Sequence, residues 1–307
     1  MKKLNTLHLK SEGIKDQGVL SEMMRKSVCF FVSIILICIL LAVNVLASDQ
    51  NATSGQTLGE LKPDGQMAFF LIQQQADIQG SLNDMDTAVA DASGQLSVVG
   101  LEGTNARKIL QNLTNSSHHI AEAVTISPEG KIVAAEPAIY YGSEGADISK
   151  QEATVRFLKT KNPLLSPVFP LVEGFNAFIV LYPVFSPSGA FMGGISVSIK
   201  PGDFLGAIIS PKLKGTNYSA WLIQKDGLVL YDPDPSQVGK MLFDDPIYKP
   251  YPQLLNLGRT MVEERSGIGA YVFLTKAHDK NVTKEVYWTT VGLHSTEWQL
   301  AVTQIAP

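Results

Sequence analysis

The sequence has 307 residues, a formal net charge of −4 at pH 7, and 45% hydrophobic against 18% charged residues. A chain of this length accommodates about two domains of ordinary size, and its apolar content excludes a largely disordered protein. The acidic balance, with 29 Asp and Glu against 25 Lys and Arg, argues against nucleic acid as a partner.

The N-terminal region combines a basic tail with an apolar segment. Residues 1–26 contain six Lys and Arg but three Asp and Glu, whereas residues 28–47 contain no charged residue. A helix of about 20 residues spans the roughly 30 Å hydrocarbon core of a bilayer. Because positive charge precedes the span, we expect a cytoplasmic tail at 1–26, a single transmembrane anchor at 27–47 and an extracytoplasmic remainder.

A cleaved signal peptide is the alternative for this segment, because small residues precede Ser48 and Ala47 could mark the cleavage point. The apolar run is longer than a usual signal core, which favours the uncleaved anchor. Both interpretations export everything after the segment. Cys29 and Cys38 lie inside the segment and are the two cysteines of the chain, so the exported part has no disulfide.

Beyond the apolar segment, the pattern predicts a linker followed by two helices. Residues 48–65 are polar and contain Gly and Pro, as is typical of a linker. From residue 66 to about 93, one apolar stripe recurs at helical spacing and includes Leu71, Ile78, Leu82, Met85, Val89 and Ala92. This stripe either packs on a neighbouring domain or forms a dimer seam. A short helix is predicted at 105–113, with Thr104 as its N-cap.

Strand signals then occur twice with the same form. The hairpin at 123–134 turns at Gly130, and the hairpin at 220–231 turns at Gly227. Each is followed by a closing pair of strands, at 179–185 with 194–199 and at 286–291 with 298–304. This repetition predicts an α+β chain with two tandem modules, at 66–205 and 206–307, each an antiparallel sheet with helices on one side.

Motifs for catalysis are absent from the exported sequence. It contains no G-x-S-x-G nucleophile elbow, no H-E-x-x-H zinc motif and no phosphate-binding loop. The adjacent His118 and His119 are best explained as a loop pair. The acidic residues Asp232, Asp234, Asp244 and Asp245 surround a proline-rich turn and are expected to be solvated. We therefore expect no enzyme, no cofactor and no metal site.

Several short stretches together resemble a known family. They are 126–132 (ISPEGKI), 145–149 (GADIS), 165–169 (LSPVF), 182–189 (YPVFSPSG), 193–194 (GG), 225–227 (KDG), 231–235 (YDPDP) with Gly239, and 296–298 (TEW). In this order and spacing the chain resembles a double Cache domain, an extracytoplasmic sensor built from two tandem PAS-like modules behind a long helix. The resemblance covers about residues 66–305.

The resemblance implies a sensing function. Such modules sit on chemoreceptors, histidine kinases or cyclase-type proteins and bind small molecules in the membrane-distal module. The sequence ends at Pro307 without an output domain, so we expect signalling through a partner protein or within a homodimer. A solute-binding protein that serves a transporter and a structural cell-envelope protein are the alternatives.

The same resemblance predicts the ligand site. Amino-acid-binding members use an Arg followed two places on by Trp for the carboxylate, and an Asp on the last strand for the amine. Here the positions hold Arg156, Leu158 and Ser198, which favours a small organic carboxylate or a neutral solute over an α-amino acid. The predicted ligand-binding residues are Arg156, Tyr140, Ser166, Phe169, Tyr182 and Ser198. The second module, including Tyr231 and Asp232, is not expected to contribute to ligand affinity.

Overall fold

A computed structural model describes residues 64–275 and 278–306, which lie within one compact unit, Leu58–Pro307. The predicted tail, the predicted anchor and all but the end of the predicted linker lie outside these residues. Within the two described ranges, no helix combines the length and the apolar character needed to cross a bilayer.

A long helix, α1 (Gly65–Val99), opens the described region. The Asp64 carboxylate caps it by accepting the backbone N–H groups of Gln66 and Met67 at 2.8 and 3.2 Å. The helix ends at Gly100, whose φ of +90° suits a residue without a side chain.

The predicted apolar stripe of α1 is buried along its whole length. It packs against strands of both sheets described below. This confirms the prediction that the stripe covers neighbouring domains. Because the same chain buries it, the stripe does not provide a dimer seam.

The first module follows α1 and contains two helices and a six-stranded sheet. Its elements are α2 (Gly103–Ser116), β1 (Ile120–Ile126), β2 (Ile132–Glu136), a 3-10 helix (Ala138–Ser143), α3 (Glu152–Thr160), β3 (Leu164–Leu165), β4 (Phe169–Pro170), β5 (Asn176–Phe185) and β6 (Phe191–Ile199). The strand order is β2-β1-β6-β5-β3, and β4 pairs with β5. The N-cap of α2 is Glu102 rather than the predicted Thr104, because the helix begins two residues earlier than its apolar pattern.

The second module repeats this arrangement. Its elements are α4 (Pro201–Leu213), β7 (Ser219–Gln224), β8 (Val229–Tyr231), a 3-10 helix (Pro246–Tyr248), α5 (Pro252–Glu263), β9 (Ser266–Leu274), β10 (Asn281–Leu293) and β11 (Thr296–Ile305). The strand order β8-β7-β11-β10-β9 matches that of the first sheet. Both predicted hairpins and both closing strand pairs are present. The predicted α+β fold, with a long helix and two tandem antiparallel modules, is thus confirmed.

Each sheet has two chemically distinct faces because successive side chains of a strand alternate. In the first sheet, Phe178, Val180 and Val197 face α1 and join its core. Their neighbours Ile179 and Leu181 face α3 and form a separate core. Residues one position apart therefore lie in different environments.

The two modules share one apolar core through α1. Trp298 of β11 is fully buried, and its ring lies edge-on to that of Phe178 of β5 with 4.9 Å between centroids. Aromatic pairs of this geometry stabilise beyond the area that they bury, by about 0.5–1.5 kcal/mol. The core that contacts α1 is continuous from one module to the other.

Candidate functional site

The first module contains a small pocket on the face of its sheet that points away from α1. Its volume is about 30 Å³. The floor is formed by β1, β5 and β6, and the segment after β4 closes one side. Most of the wall is apolar, from Val124, Ile126, Ile132, Ile148, Phe169, Leu171, Val172 and Ile179. An apolar enclosure with a few polar groups is the usual form of a small-ligand site.

A buried carboxylate, that of Glu122, is the most unusual group of the pocket. Glu122 lies on β1, two positions before Val124, so its side chain points to the pocket face, where it is 1% exposed. Burial raises the pKa of Glu122 to about 8, because the apolar surroundings disfavour the charged form. The neighbouring carboxylate of Glu173 raises this pKa further.

Hydroxyl groups surround the Glu122 carboxylate. Ser198 stands opposite Glu122 in the pairing of β1 with β6, and its hydrogen bond favours the charged form. Ser143 Oγ lies 3.4 Å from Glu122 Oε1. Ser196, two positions before Ser198, lines the same wall. These groups can orient a polar ligand atom beside the carboxylate.

The charge of the pocket has one sign. Its ionisable lining residues are Glu122 and Glu173, and none of the described residues that line it is a Lys, Arg or His. An anionic ligand would therefore meet two acidic side chains without a compensating cation. A cationic group would relieve both the burial cost of Glu122 and its repulsion with Glu173.

The structure brings some of the predicted ligand-binding residues to this pocket. Phe169 and Ser198 line it. Burial raises the pKa of the Tyr140 hydroxyl, and the charges of Glu122 and Glu173 raise it further. Because these two charges act on it, Tyr140 lies beside the pocket. For these three residues, contact with a ligand remains a prediction that the pocket geometry supports.

The other three predicted residues lie elsewhere. Arg156 is on the exposed side of α3, and its Nη2 donates to the Leu165 carbonyl oxygen at 3.1 Å. Tyr182 lies on the opposite face of the sheet, because it is one residue beyond Leu181, and its ring contacts His294 at 5.7 Å.

Ser166 is fully buried, but the backbone uses its hydroxyl. Ser166 Oγ accepts the N–H of Ile179 at 2.9 Å and donates to the Pro167 carbonyl oxygen at 2.7 Å. Its side chain therefore fixes the chain after β3 against β5. Arg156, Ser166 and Tyr182 therefore do not line this pocket, and a contact of these three residues with a ligand stays a prediction.

Sequence reasoning missed Glu122 and Glu173. A signal for Glu122 exists, because Glu122, Val124 and Ile126 are alternate residues of one predicted strand. The pattern predicts an apolar residue at the position of Glu122, which is charged instead. Glu173 gives no such signal, since it lies in the turn before β5, where no alternation of apolar residues predicts the type of side chain.

Comparison with known proteins identifies the class. Residues 80–201 match the family model described as HK/GC/Chemotaxis protein-like, sensor domain. The structure is similar to an extracellular ligand binding receptor from Desulfohalobium retbaense DSM5692, with 34% identity and a TM-score of 0.68. That match covers 79% of this chain and 41% of the receptor chain, so the chain spans less than half of the receptor. No protein with a curated description matches the chain.

Two more distant structures have the same fold. The ligand-binding domain of the Pseudomonas aeruginosa PAO1 amino acid chemoreceptor PctB, in complex with L-Arg, is 16% identical with a TM-score of 0.57. That of PctC, in complex with GABA, is 19% identical with a TM-score of 0.55. The matches cover 78% of this chain in both cases, with 94% of the PctB chain and 97% of the PctC chain.

The two-module fold of the described region is thus that of these ligand-binding domains, and the family match lies within the first module and the helix before it. The resemblance to double Cache sensors is confirmed. These similarities favour a sensing module over a transporter-associated binding protein or a structural envelope protein.

Proposed function

We propose that this chain is a membrane-anchored extracytoplasmic sensor whose first module binds a small molecule through an ammonium group. The ligand lies in the pocket of the first module that contains Glu122, called the Glu122 pocket below. Its cationic end lies on Glu122 and Glu173, and its apolar part lies against Phe169. The signal passes to a partner protein or through a homodimer. The role is binding and signalling rather than catalysis.

The buried carboxylate of Glu122 is the observation that supports this proposal. An isolated carboxylate is costly to bury, and such groups in proteins are usually paired. Among the residues that the structure describes, Glu122 has a second carboxylate and hydroxyl groups beside it, but no cation. A ligand ammonium would supply the missing partner through a charge-assisted hydrogen bond.

This proposal differs from the carboxylate ligand that the sequence predicts. That prediction depends on Arg156, whose guanidinium is outside the pocket and donates to a backbone carbonyl. The ligands of PctB and PctC, L-Arg and GABA, both carry a cationic nitrogen group as well as a carboxylate. An ammonium requirement is consistent with those ligands, and the lining of this pocket supplies no partner for a carboxylate.

The anchored location is supported by sequence and by similarity. The uncharged segment 28–47 follows a basic tail, and the Desulfohalobium structure is described as an extracellular receptor. We propose that the tail at 1–26 is cytoplasmic and that the two modules, at 66–205 and 206–307, are outside. Protease added to intact cells should then digest the modules while a tag placed before Lys2 survives.

A matched set of small molecules tests the ligand class. The full chain in detergent micelles is titrated with isobutylamine, isobutanol and isobutyrate, which share an apolar body and differ in the head group. We expect isobutylamine to raise the melting temperature, because a ligand of the native state stabilises it, and the other two to leave it unchanged. Putrescine and agmatine extend the set to longer cations.

Proton release provides a second readout. At about pH 7 the Glu122 site holds a proton that an ammonium group would displace, so the heat of binding should depend on the ionisation enthalpy of the buffer. Stabilisation by isobutyrate with no effect of any amine would contradict the proposal.

A further inference from the structure

The second module contains a larger cavity that the resemblance to sensor domains did not predict. Its volume is about 90 Å³, and it lies between the sheet and the segment that leads into α5. Its walls are largely aromatic and aliphatic, from Trp221, Leu242, Tyr248, Leu254, Tyr271 and Phe273. Such walls suit an apolar ligand body.

A carboxylate with few partners, that of Asp232, faces this cavity. Asp232 Oδ1 accepts the backbone N–H of Asp234 at 2.8 Å, the one hydrogen bond to this carboxylate from the described residues. Burial raises the pKa of Asp232 to about 6. Asp232 is a turn residue, as expected, but it is half-buried rather than fully solvated.

The nearby Asp234 shows the opposite situation. Burial raises the pKa of Asp234, but the hydrogen bonds that its carboxylate accepts from Ser236, Gln237 and His278 outweigh burial and lower this pKa to about 2. Asp234 is satisfied within the protein. Of the two carboxylates at the cavity, Asp232 has capacity left for a ligand.

A cation faces the same cavity from the sheet. Lys284 lies on β10 in register with Tyr271 of β9, and its ammonium is 5.5 Å from the centroid of the Phe273 ring. Burial lowers the pKa of Lys284, although the charge of Asp232 partly offsets this effect. None of the salt bridges among the described residues involves Lys284 or Asp232.

Two further polar atoms at the cavity lack partners in the described part of the chain. They are Trp221 Nε1, a donor, and Gln237 Oε1, an acceptor, on side chains that are 7% and 2% exposed. The Gln237 amide is oriented by its Nε2, which donates to Asp234 at 3.2 Å. Buried polar groups without partners are costly and uncommon in native proteins.

These groups form a complementary set. The carboxylate of Asp232 and the acceptor of Gln237 suit a cation, whereas Lys284 and the indole N–H of Trp221 suit an anion. If the two charges served only stability, a direct ion pair would be expected, since buried charges are usually paired. Here both side chains line the cavity, and in the described part of the chain no ion pair joins them.

We propose that this cavity is a second ligand site, which binds a small zwitterion with an apolar body, its ammonium group on Asp232 and its carboxylate on Lys284. The aromatic walls take the apolar body, and the atoms of Gln237 and Trp221 complete the hydrogen bonds at the two ends. This site is separate from the Glu122 pocket and differs from it in requiring both charges.

Matched probes test the two-charge requirement on the unmodified full chain in detergent micelles. L-phenylalanine carries both groups, phenethylamine lacks the carboxylate, and hydrocinnamate lacks the ammonium. We expect L-phenylalanine, or another of L-tyrosine, L-leucine and L-methionine, to bind at least tenfold more tightly than its analogue with one charge. If none of the four binds, or if hydrocinnamate binds as tightly as L-phenylalanine, the proposal is overturned.

Substitutions locate the binding. Asp232→Asn and Lys284→Met should each weaken binding of the zwitterion at least tenfold. The matched controls are Asp244→Asn and Lys249→Met, which remove the same charges at exposed positions of the same module. They should change the affinity for the zwitterion less than twofold. Melting curves of each variant show whether it folds, and either of the two cavity variants is sufficient for the test.

The Glu122 pocket provides the final comparison. Zwitterion binding that is lost in Glu122→Gln and retained in Asp232→Asn would overturn the second site while leaving the first intact. The reverse pattern supports the second site. Failure of isobutylamine to bind would affect the first site alone.

Discussion

Replacement of Glu122 by Gln should stabilise the protein at high pH and leave it unchanged at low pH. The folded pKa of about 8 lies above the ordinary value of 4.5, so the fold holds a proton that the unfolded chain releases. Stability therefore falls as pH rises from about 4.5 through about 8, and the full penalty is present above that range. Gln has nearly the same shape and does not ionise.

The magnitude follows from the shift. Each pKa unit corresponds to about 1.4 kcal/mol, so the shift of Glu122 sets a ceiling of about 5 kcal/mol. Relaxation and shared protonation with Glu173 reduce this, and we expect a gain of about 1–3 kcal/mol at about pH 9. For a domain of this size each kcal/mol raises the melting temperature by about 2–4 °C.

Thermal unfolding followed by circular dichroism at about pH 5, 7 and 9 measures the effect. Glu263→Gln, at an exposed position of α5, is the matched control and should show no trend with pH. Glu173→Gln should shift the fall of the melting temperature with pH toward lower pH, because it removes the charge beside Glu122. If Glu122→Gln changes the melting temperature by the same amount at all three pH values, the reasoning is refuted.

Three substitutions test the packing of the fold, each by chemical denaturation. Trp298→Ala should cost about 3–5 kcal/mol, since it removes the fully buried ring that packs on Phe178; a cost below about 1 kcal/mol would contradict the shared core. Gly193→Ala should cost more than about 1 kcal/mol, because its φ is +128° and a Cβ would lie 2.1 Å from the Ile126 carbonyl oxygen. Gly94→Ala, in open space on α1, should instead stabilise by about 0.5–1 kcal/mol.

Local patterns explain why the fold was predictable from the sequence. The stripe from Leu71 to Val89 has helical spacing, and each hairpin has alternating strands around a glycine with positive φ, Gly130 and Gly227. These signals need no knowledge of distant residues. The exact ends of helices were less predictable, as the N-cap of α2 shows, because apolar spacing does not fix the first turn.

The site depended on information that a single sequence does not contain. Tyr182 and Ser198 are on opposite faces because Ser198 pairs with Ile179, and the register of β5 against β6 becomes visible only in the structure. Arg156 precedes the buried Phe157 on a short helix, whose rotation is set by packing. Asp232 lies in a polar, proline-rich turn, and its partial burial beside Tyr248 and Tyr271 is a tertiary effect.

Calorimetric titration of isobutylamine into the full chain and two variants tests the central claim, that the first module binds an ammonium group on Glu122. We predict that Glu122→Gln weakens binding at least tenfold, because the charge-assisted hydrogen bond is lost, whereas Arg156→Ala stays within twofold of the wild type. Tight binding that survives Glu122→Gln and is abolished by Arg156→Ala would contradict the account.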